Sequence, residues 1–263
     1  MMDQRDTFDA VADLYGEARP GYPAILYDDL WALAGLRTNA KVLEVGCGAG
    51  QATGDLAVRA GRVVAIDPGP RLVEQARARV DAANVEYRIA RFEDFEAPAG
   101  AFDLVASAQA WHWVDPEIGF RKAAETLRRG GALAVFGHVP GLPDEPARSA
   151  FQAIYDRFLP GAFGAPSPEA AYEPEGMFPG LYAASGRFEA PAHRAYAWTW
   201  RLDSQTLGRY LRTDSSYHVL PEGPRFALFD ALSDAVADVG GSFDAPYETH
   251  LYVARVRGGA DGE

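Results

Sequence analysis

Short apolar runs alternate with amphipathic segments through the middle of the chain, and this pattern predicts an α/β fold. The first segments between the runs carry apolar residues at helical spacing, over 51–59 and 71–82. Five strands that alternate with helices indicate a parallel, doubly wound sheet with helices on both faces. The five apolar runs of strand length lie at 42–45, 62–66, 85–89, 102–107 and 132–137.

The segment between the fourth and fifth runs predicts a helix over 115–129. Pro116 stands at an early helical position, where its missing N–H costs nothing. Arg128 and Arg129 would lie at the helix C-terminus, where the helix dipole favours cations. Gly130 and Gly131 then end the helix.

The chain before and after these five runs has a different pattern. Residues 7–15 and 24–34 predict two helices of an N-terminal cap, and 204–212 and 224–239 predict two more near the C-terminus. Residues 194–202 and 248–257 alternate apolar with polar positions, which is typical of strands. We therefore expect seven strands in all.

Residues 140–191 differ from the rest in composition, because they hold half of the 18 prolines and many glycines and aromatic residues. This predicts an inserted, loop-rich segment with two short helices, one at 145–158. An insertion at the rim of a sheet commonly forms a lid or a specificity pocket. The alternative is a passive elaboration of the surface.

Composition and charge exclude several classes of function. The chain of 263 residues has 37 acidic against 25 basic residues and a net charge of -12, which disfavours nucleic acid and anionic membranes as partners. No apolar run approaches the ~20 residues of a membrane span, and the polar N-terminus has no signal-peptide pattern. With one cysteine, no internal disulfide is expected. We expect a cytoplasmic protein, monomeric or homodimeric.

The stretch that carries the clearest chemistry is E-V-G-C-G-A-G, residues 44–50, between the first apolar run and the next amphipathic segment. Glycine permits positive φ and lets a ligand lie against bare backbone. The dinucleotide fingerprint G-x-G-x-x-G would need a third glycine at Gln51. Asp67 follows the second run, 21 residues after Gly46, where an acid can accept both hydroxyls of a ribose. The alternative for the loop is a glycine turn without a ligand. Asp67 could instead cap the next helix, a role that is compatible with ribose binding.

The chain resembles the class I S-adenosylmethionine (SAM) dependent methyltransferases of type 11. Four features carry the resemblance: the glycine-rich stretch 44–50, the Gly-Gly turn, the cap string F-D-A-V-A-D-L-Y-G-E-A-R-P-G-Y-P and the string A-Q-A-W-H-W-V-D-P at 108–116. The trans-aconitate methyltransferases are similar. The resemblance implies strand order 3-2-1-4-5-7-6 with strand 7 antiparallel. We expect one domain with four parts: a cap (1–36), a SAM-binding core (37–139), the insertion (140–192) and a C-terminal part (193–263). The resemblance also implies SAM as the cofactor and S-adenosylhomocysteine as the product.

The resemblance further implies which residues contact the cofactor. Where relatives often carry Asp-Ala-Glu, this chain has Arg91-Phe92-Glu93, so the amides of Phe92 and Glu93 would hold the adenine. Cys47 would be a small packing residue. The implied cofactor-binding set is Glu44, Gly46, Cys47, Gly48, Gly50, Asp67, Pro68, Phe92, Glu93, Ala108, Gln109 and Trp111.

On the acceptor side, His112 is the candidate catalytic base for a hydroxyl or amine acceptor, and the reaction rate should then fall below the ordinary histidine pKa near ~6.5. With a carboxylate acceptor it would position the acceptor, with little pH dependence above pH ~5. Tyr15, Arg19, Trp113 and Tyr217 would shape the acceptor pocket, and Arg19 could hold an acidic substrate. The other histidines show no metal-ligand spacing and Cys47 has no partner cysteine, so no metal is implied.

Three functions remain open. The first is a SAM-dependent methyltransferase for a small-molecule acceptor, at oxygen (carboxyl included) or nitrogen. The second is an NAD(P)-dependent oxidoreductase, which Gln51 and the lack of a Tyr-x-x-x-Lys pair disfavour. The third is a SAM-binding protein without catalysis.

Overall fold

A computed structural model describes Gly16 and residues 18–165, 168–213 and 220–257 of the chain. In this part of the protein seven strands form one sheet in the order β3-β2-β1-β4-β5-β7-β6, which confirms the expected order. Strands β1 to β5 run parallel, and β7 is antiparallel to both β5 and β6. The strands are β1 (Lys41–Val45), β2 (Arg62–Asp67), β3 (Val85–Ile89), β4 (Phe102–Ala108), β5 (Leu127–Pro140), β6 (Ala192–Asp203) and β7 (Ser242–Arg255).

Helices cover both faces of the sheet. Two apolar clusters lie on its opposite faces because neighbouring residues of β1 point in opposite directions: Val42 belongs to one cluster and Leu43 to the other. Both side chains are fully buried. The helices are α1 (Ala24–Ala34), α2 (Thr53–Arg59), α3 (Pro70–Arg79), α4 (Pro116–Thr126), α5 (Ala147–Phe158), α6 (Met177–Ser185), α7 (Ser204–Arg212) and α8 (Glu222–Asp238).

The helix predicted over 115–129 is shorter than expected. It ends at Thr126, and Arg128, Arg129 and the two glycines belong to β5 instead. Leu127 already pairs with Phe102 of β4, and the Arg128 side chain forms an ion pair with Asp103. Gly130, at φ 72°, lies where the pairing shifts register before Ala132. Pairing with β4 therefore starts the strand five residues early.

The helix after β2 also begins differently from the alternative in which Asp67 caps it. Its N-cap is Gly69, and its first residue is Pro70. Asp67 is therefore not the N-cap. It is the last residue of β2, and its side chain accepts a hydrogen bond from the amide of Gly69.

The insertion is more ordered than its composition suggests. It contains α5, a 3₁₀ turn at Pro168–Tyr172 and α6, the second helix that we expected. Helix α5 packs with α7, α8 and β7 in a third apolar cluster, in which Phe151 meets Phe243 edge to face at 4.9 Å between ring centres. This cluster lies at the end of the sheet where the cavity described below opens.

Candidate active site

The glycine loop follows β1 at the carboxyl edge of the parallel strands. Gly46, Gly48 and Gly50 all have left-handed backbone, with φ of 71°, 52° and 85°. A Cβ on Gly46 would lie 2.3 Å from the Cβ of Ala110, which follows β4. The loop therefore needs glycine at position 46 both for its conformation and for the close approach of the neighbouring loop.

Asp67 joins the end of β2 to this loop. Its Oδ2 accepts the amide of Gly48 at 3.0 Å and its Oδ1 accepts the amide of Gly69 at 2.9 Å. The amides of Gly46 and Cys47 donate to the carbonyl of Ile66, the residue before it. Four backbone amides thus fix the loop and the carboxylate in one arrangement.

Glu44 lies beneath the loop and is 1% exposed. Neither carboxylate oxygen accepts a hydrogen bond, and the nearby Thr53 hydroxyl donates none. Burial raises the pKa of Glu44 to about 8, with the Thr53 hydroxyl lowering it and Asp67 adding to the rise. A buried carboxyl without partners is costly unless something in the site pairs with it.

A cavity of about 720 Å³ opens above these residues. It brings together most of the predicted cofactor-binding residues at one end. Those that line it are Glu44, Gly46, Cys47, Gly48, Asp67, Pro68, Phe92, Glu93, Ala108 and Gln109.

Two residues of the predicted cofactor set are not in the cavity wall. Gly50 faces α3, where a Cβ would lie 3.2 Å from the Cα of Ala76. Trp111 is 2% exposed and packs between Phe92 and Phe120 in the core. The tryptophan of this loop that does line the cavity is Trp113.

His112 lines the cavity and contacts the insertion. Its Nδ1 lies 3.2 Å from the hydroxyl of the fully buried Tyr172, so Nε2 is the ring nitrogen left for a ligand. Burial lowers the pKa of His112 to about 4. The imidazole is therefore neutral at pH 7. Its protonation, which the sequence placed near pH ~6.5, is expected only near pH 4.

Gln109, which the sequence predicted, and Gly137, which it missed, support this wall. Gln109, at φ 54°, accepts the amide of His138 and donates to its carbonyl, which ties the end of β4 to β5. Gly137 allows this, because a Cβ there would lie within 2.8 Å of both Tyr172 and Gln109. A glycine inside an apolar strand run was the one available signal for such a close approach.

Arg19 lies at the other end of the cavity. Its Nε and Nη2 donate to Thr213 Oγ1 and to the Thr213 carbonyl at 3.2 and 3.0 Å, and its guanidinium stacks over Tyr210. These contacts join the segment before α1 to the end of α7. Tyr15 and Tyr217, the other two predicted acceptor-side residues, lie outside the described residues.

Comparison with known proteins identifies the core of this arrangement. Residues 43–135, from β1 into β5, match the methyltransferase domain family. This segment, about a third of the chain, is thus similar to methyltransferases, and the described sheet has the strand order expected of the class I methyltransferase fold. Glu44, Asp67 and His112 fall within the matched segment, whereas Arg19 and the insertion lie outside it.

Two methyltransferases are similar to this chain, one in sequence and one in structure. An uncharacterised methyltransferase of Mycobacterium tuberculosis is 35% identical over 129 residues, which are 49% of this chain and 51% of that protein. The chain thus matches about half the length of this relative. The structure of a presumed type II methyltransferase from Anaeromyxobacter dehalogenans has a TM-score of 0.64 and 25% identity, covering 90% of this chain and 97% of that one.

A third likeness concerns the fold alone. A phosphoethanolamine N-methyltransferase of Haemonchus contortus, solved with phosphomonomethylethanolamine and S-adenosylhomocysteine, has a TM-score of 0.55 at 14% identity. It covers 97% of this chain and 60% of that one. The expected trans-aconitate-like subtype finds no support among these proteins.

Two further observations delimit the site. Within the described ranges, no three His, Cys, Asp or Glu side chains converge on a possible metal position. No helix in the same ranges has both the length and the apolar character needed to cross a bilayer.

Proposed function

We propose that this protein is a SAM-dependent methyltransferase that modifies an oxygen or nitrogen atom of a small molecule. The observation that carries the proposal is the tie between Gly48 and Asp67, which fixes the glycine loop and the acid of β2 on one wall of the cavity. The cavity continues past His112 to a second group of residues from the insertion and the C-terminal part. Its volume, high in the range of about 300–1,000 Å³ for ligand pockets, suits a cofactor and an acceptor side by side.

The residues at the first end fit SAM. The orphaned carboxylate of Glu44 suits the ammonium of the methionine portion, which would lie against the bare backbone of Gly46 and Gly48. Asp67, which accepts the amides of Gly48 and Gly69, lines the cavity where the ribose hydroxyls would lie. Phe92 and Glu93 line the place for the adenine. Bound SAM would supply a methyl group already activated on its sulfonium.

The chain's own contribution is alignment and exclusion of water. An in-line displacement needs the nucleophile held close to the methyl carbon, which ordered walls on both sides provide. His112 Nε2, neutral at pH 7, can accept a hydrogen bond from an acceptor hydroxyl or amine and orient it. Its low pKa makes it a weak proton acceptor, so orientation is its main role in this proposal.

The experiment is calorimetry with SAM, S-adenosylhomocysteine and NADH on the purified protein. We expect binding of the first two at micromolar or tighter Kd and no binding of NADH, because position 51 is Gln rather than the glycine of the dinucleotide fingerprint. Binding of NADH alone would replace the proposal with the oxidoreductase function. Acceptors are then screened for S-adenosylhomocysteine release, and a protein that binds SAM but releases none with any acceptor class is a non-catalytic binder.

A further inference from the structure

The cavity continues beyond His112 into a far part, which we call the acceptor chamber. Helices α5, α7 and α8, strand β7 and the loop after α5 enclose it. Its walls are mainly aliphatic and aromatic. The apolar lining residues are Leu142, Phe151, Tyr155, Leu159, Phe163, Leu202, Leu207, Leu211, Leu232, Phe243 and Tyr247.

Aromatic rings dominate the side of the chamber nearest the sheet. Tyr22 stacks on His138 with ring centres 4.4 Å apart and planes 20° apart, and His138 meets Tyr247 edge to face. Burial lowers the pKa of His138 to about 3, so this ring is neutral near pH 7. Phe163 packs against Tyr155, with ring centres 5.3 Å apart, and both line the chamber. Flat, neutral ring surfaces of this kind suit a planar guest.

The chamber offers little to a charged guest. Among the described lining residues its cation is Arg19, already bound to Thr213 and stacked on Tyr210, and its acid is Glu169. Burial and the neighbouring Tyr210 raise the pKa of Tyr247, which Arg19 lowers and Glu169 raises further. An anion or cation that left water for this space would lose its hydration without gaining a dedicated partner.

We propose that the acceptor chamber takes an uncharged, planar, largely apolar molecule that carries one hydroxyl, with the hydroxyl directed toward His112 at the junction with the cofactor end. The inference rests on the proposed function and narrows its substrate class. It also assigns Arg19 to positioning α7 rather than to binding an acidic substrate.

The test compares two probes that differ only in the polar group. 2-Naphthol is neutral at pH 7, whereas 2-naphthoate has the same ring system and carries a negative charge. Calorimetry on the full chain measures both, with and without saturating S-adenosylhomocysteine. We expect 2-naphthol to bind at least tenfold more tightly than 2-naphthoate.

A pair of matched variants locates the binding. Phe163→Ala removes a ring from the chamber wall, and we expect it to weaken 2-naphthol about tenfold while S-adenosylhomocysteine binding stays unchanged. Phe226→Ala makes the same change on the exposed surface of α8, outside the cavity, and should alter neither. The unchanged cofactor affinity of Phe163→Ala shows that this variant has folded.

The outcomes separate this inference from the proposed function. If S-adenosylhomocysteine binds while 2-naphthoate matches or exceeds 2-naphthol, or while neither probe binds, the chamber assignment is overturned and the methyltransferase proposal stands. Equal losses in Phe163→Ala and Phe226→Ala would also overturn it. If S-adenosylhomocysteine does not bind, the proposed function is contradicted. The chamber assignment is then tested by itself, by the relative affinities of 2-naphthol and 2-naphthoate without cofactor.

Discussion

The backbone amide of Gly48 donates a hydrogen bond to Oδ2 of Asp67 at 3.0 Å, which links the loop after β1 to the end of β2. Both partners belong to the parallel core, so the link holds the bottom of the cavity in place before any ligand arrives. Asp67 is 7% exposed, and this burial strengthens its hydrogen bonds relative to water.

Asp67→Ala should weaken both SAM and S-adenosylhomocysteine. The variant removes the carboxylate proposed for the ribose and also releases the amides of Gly48 and Gly69. Loss of charge-assisted hydrogen bonds of this kind costs about 2 kcal/mol, roughly a 30-fold change in Kd. Calorimetry measures it, with Asp81→Ala on the exposed surface as the control. Equal affinities in wild type and Asp67→Ala would rule out the ribose role.

Binding of S-adenosylhomocysteine should tighten as the pH rises from 6 to 8. In the free protein the pKa of Glu44 is raised to about 8, so the carboxyl is mostly protonated at pH 6 to 7. A ligand ammonium beside it favours the ionised form and lowers that pKa, so binding releases a proton and is favoured at higher pH. Calorimetry at pH 6, 7 and 8 measures the slope. Glu44→Gln cannot ionise, and a slope equal to that of wild type would contradict the assignment.

His112→Gln should lower kcat on the order of 10²-fold with a hydroxyl acceptor, because the acceptor loses the hydrogen bond that orients it, and leave the cofactor Kd nearly unchanged. Because burial lowers the pKa of His112 to about 4, the wild-type rate should stay level from pH 8 to about 5 and fall only as pH approaches 4. A pH profile of kcat checks this. A wild-type rate that halves near 6.5 would show that the imidazole is not buried as described.

Tyr172→Phe is the partner experiment for His112. It keeps the ring, whose hydroxyl lies 3.2 Å from His112 Nδ1, and removes only that contact. A positioning role predicts a kcat loss smaller than that of His112→Gln, with KM for the cofactor unchanged. No loss in either variant would leave His112 as a packing residue.

Gly46→Ala should destabilise the protein more than Gly161→Ala. Both glycines have left-handed backbone, with φ of 71° and 79°, so each substitution costs about 1–2 kcal/mol of strain. At Gly46 the new Cβ would also lie 2.3 Å from that of Ala110, whereas nothing lies within 4 Å at Gly161. Urea unfolding of the two variants measures the difference. Equal free energies of unfolding would mean that the Ala110 loop moves away without cost.

The sequence located the parallel strands because burial on both faces of the sheet leaves continuous apolar runs. Strands β5 and β7, predicted to start at 132 and 248, begin earlier, at Leu127 and Ser242. The run at 85–89 and the helices at 24–34 and 204–212 have the bounds that the structure gives them. The helix predicted over 115–129 was too long because of tertiary contacts. Leu127 pairs with Phe102 and Arg128 contacts Asp103, and residues 25 positions apart have no part in local helix signals.

The sequence by itself determined the sheet and the place of the glycine loop and Asp67, because spacing along consecutive βα units fixes which residues reach the carboxyl edge. The sequence predicted Trp113 in the acceptor pocket, but only the tertiary structure decided that Trp111 packs in the core, since the two side chains of a single 3₁₀ turn reach different environments. The tertiary structure also decided the low pKa of His112 and the apolar acceptor chamber. Both arise where the insertion, α7 and α8 meet the sheet, and the desolvation that produces them depends on contacts between segments distant in sequence.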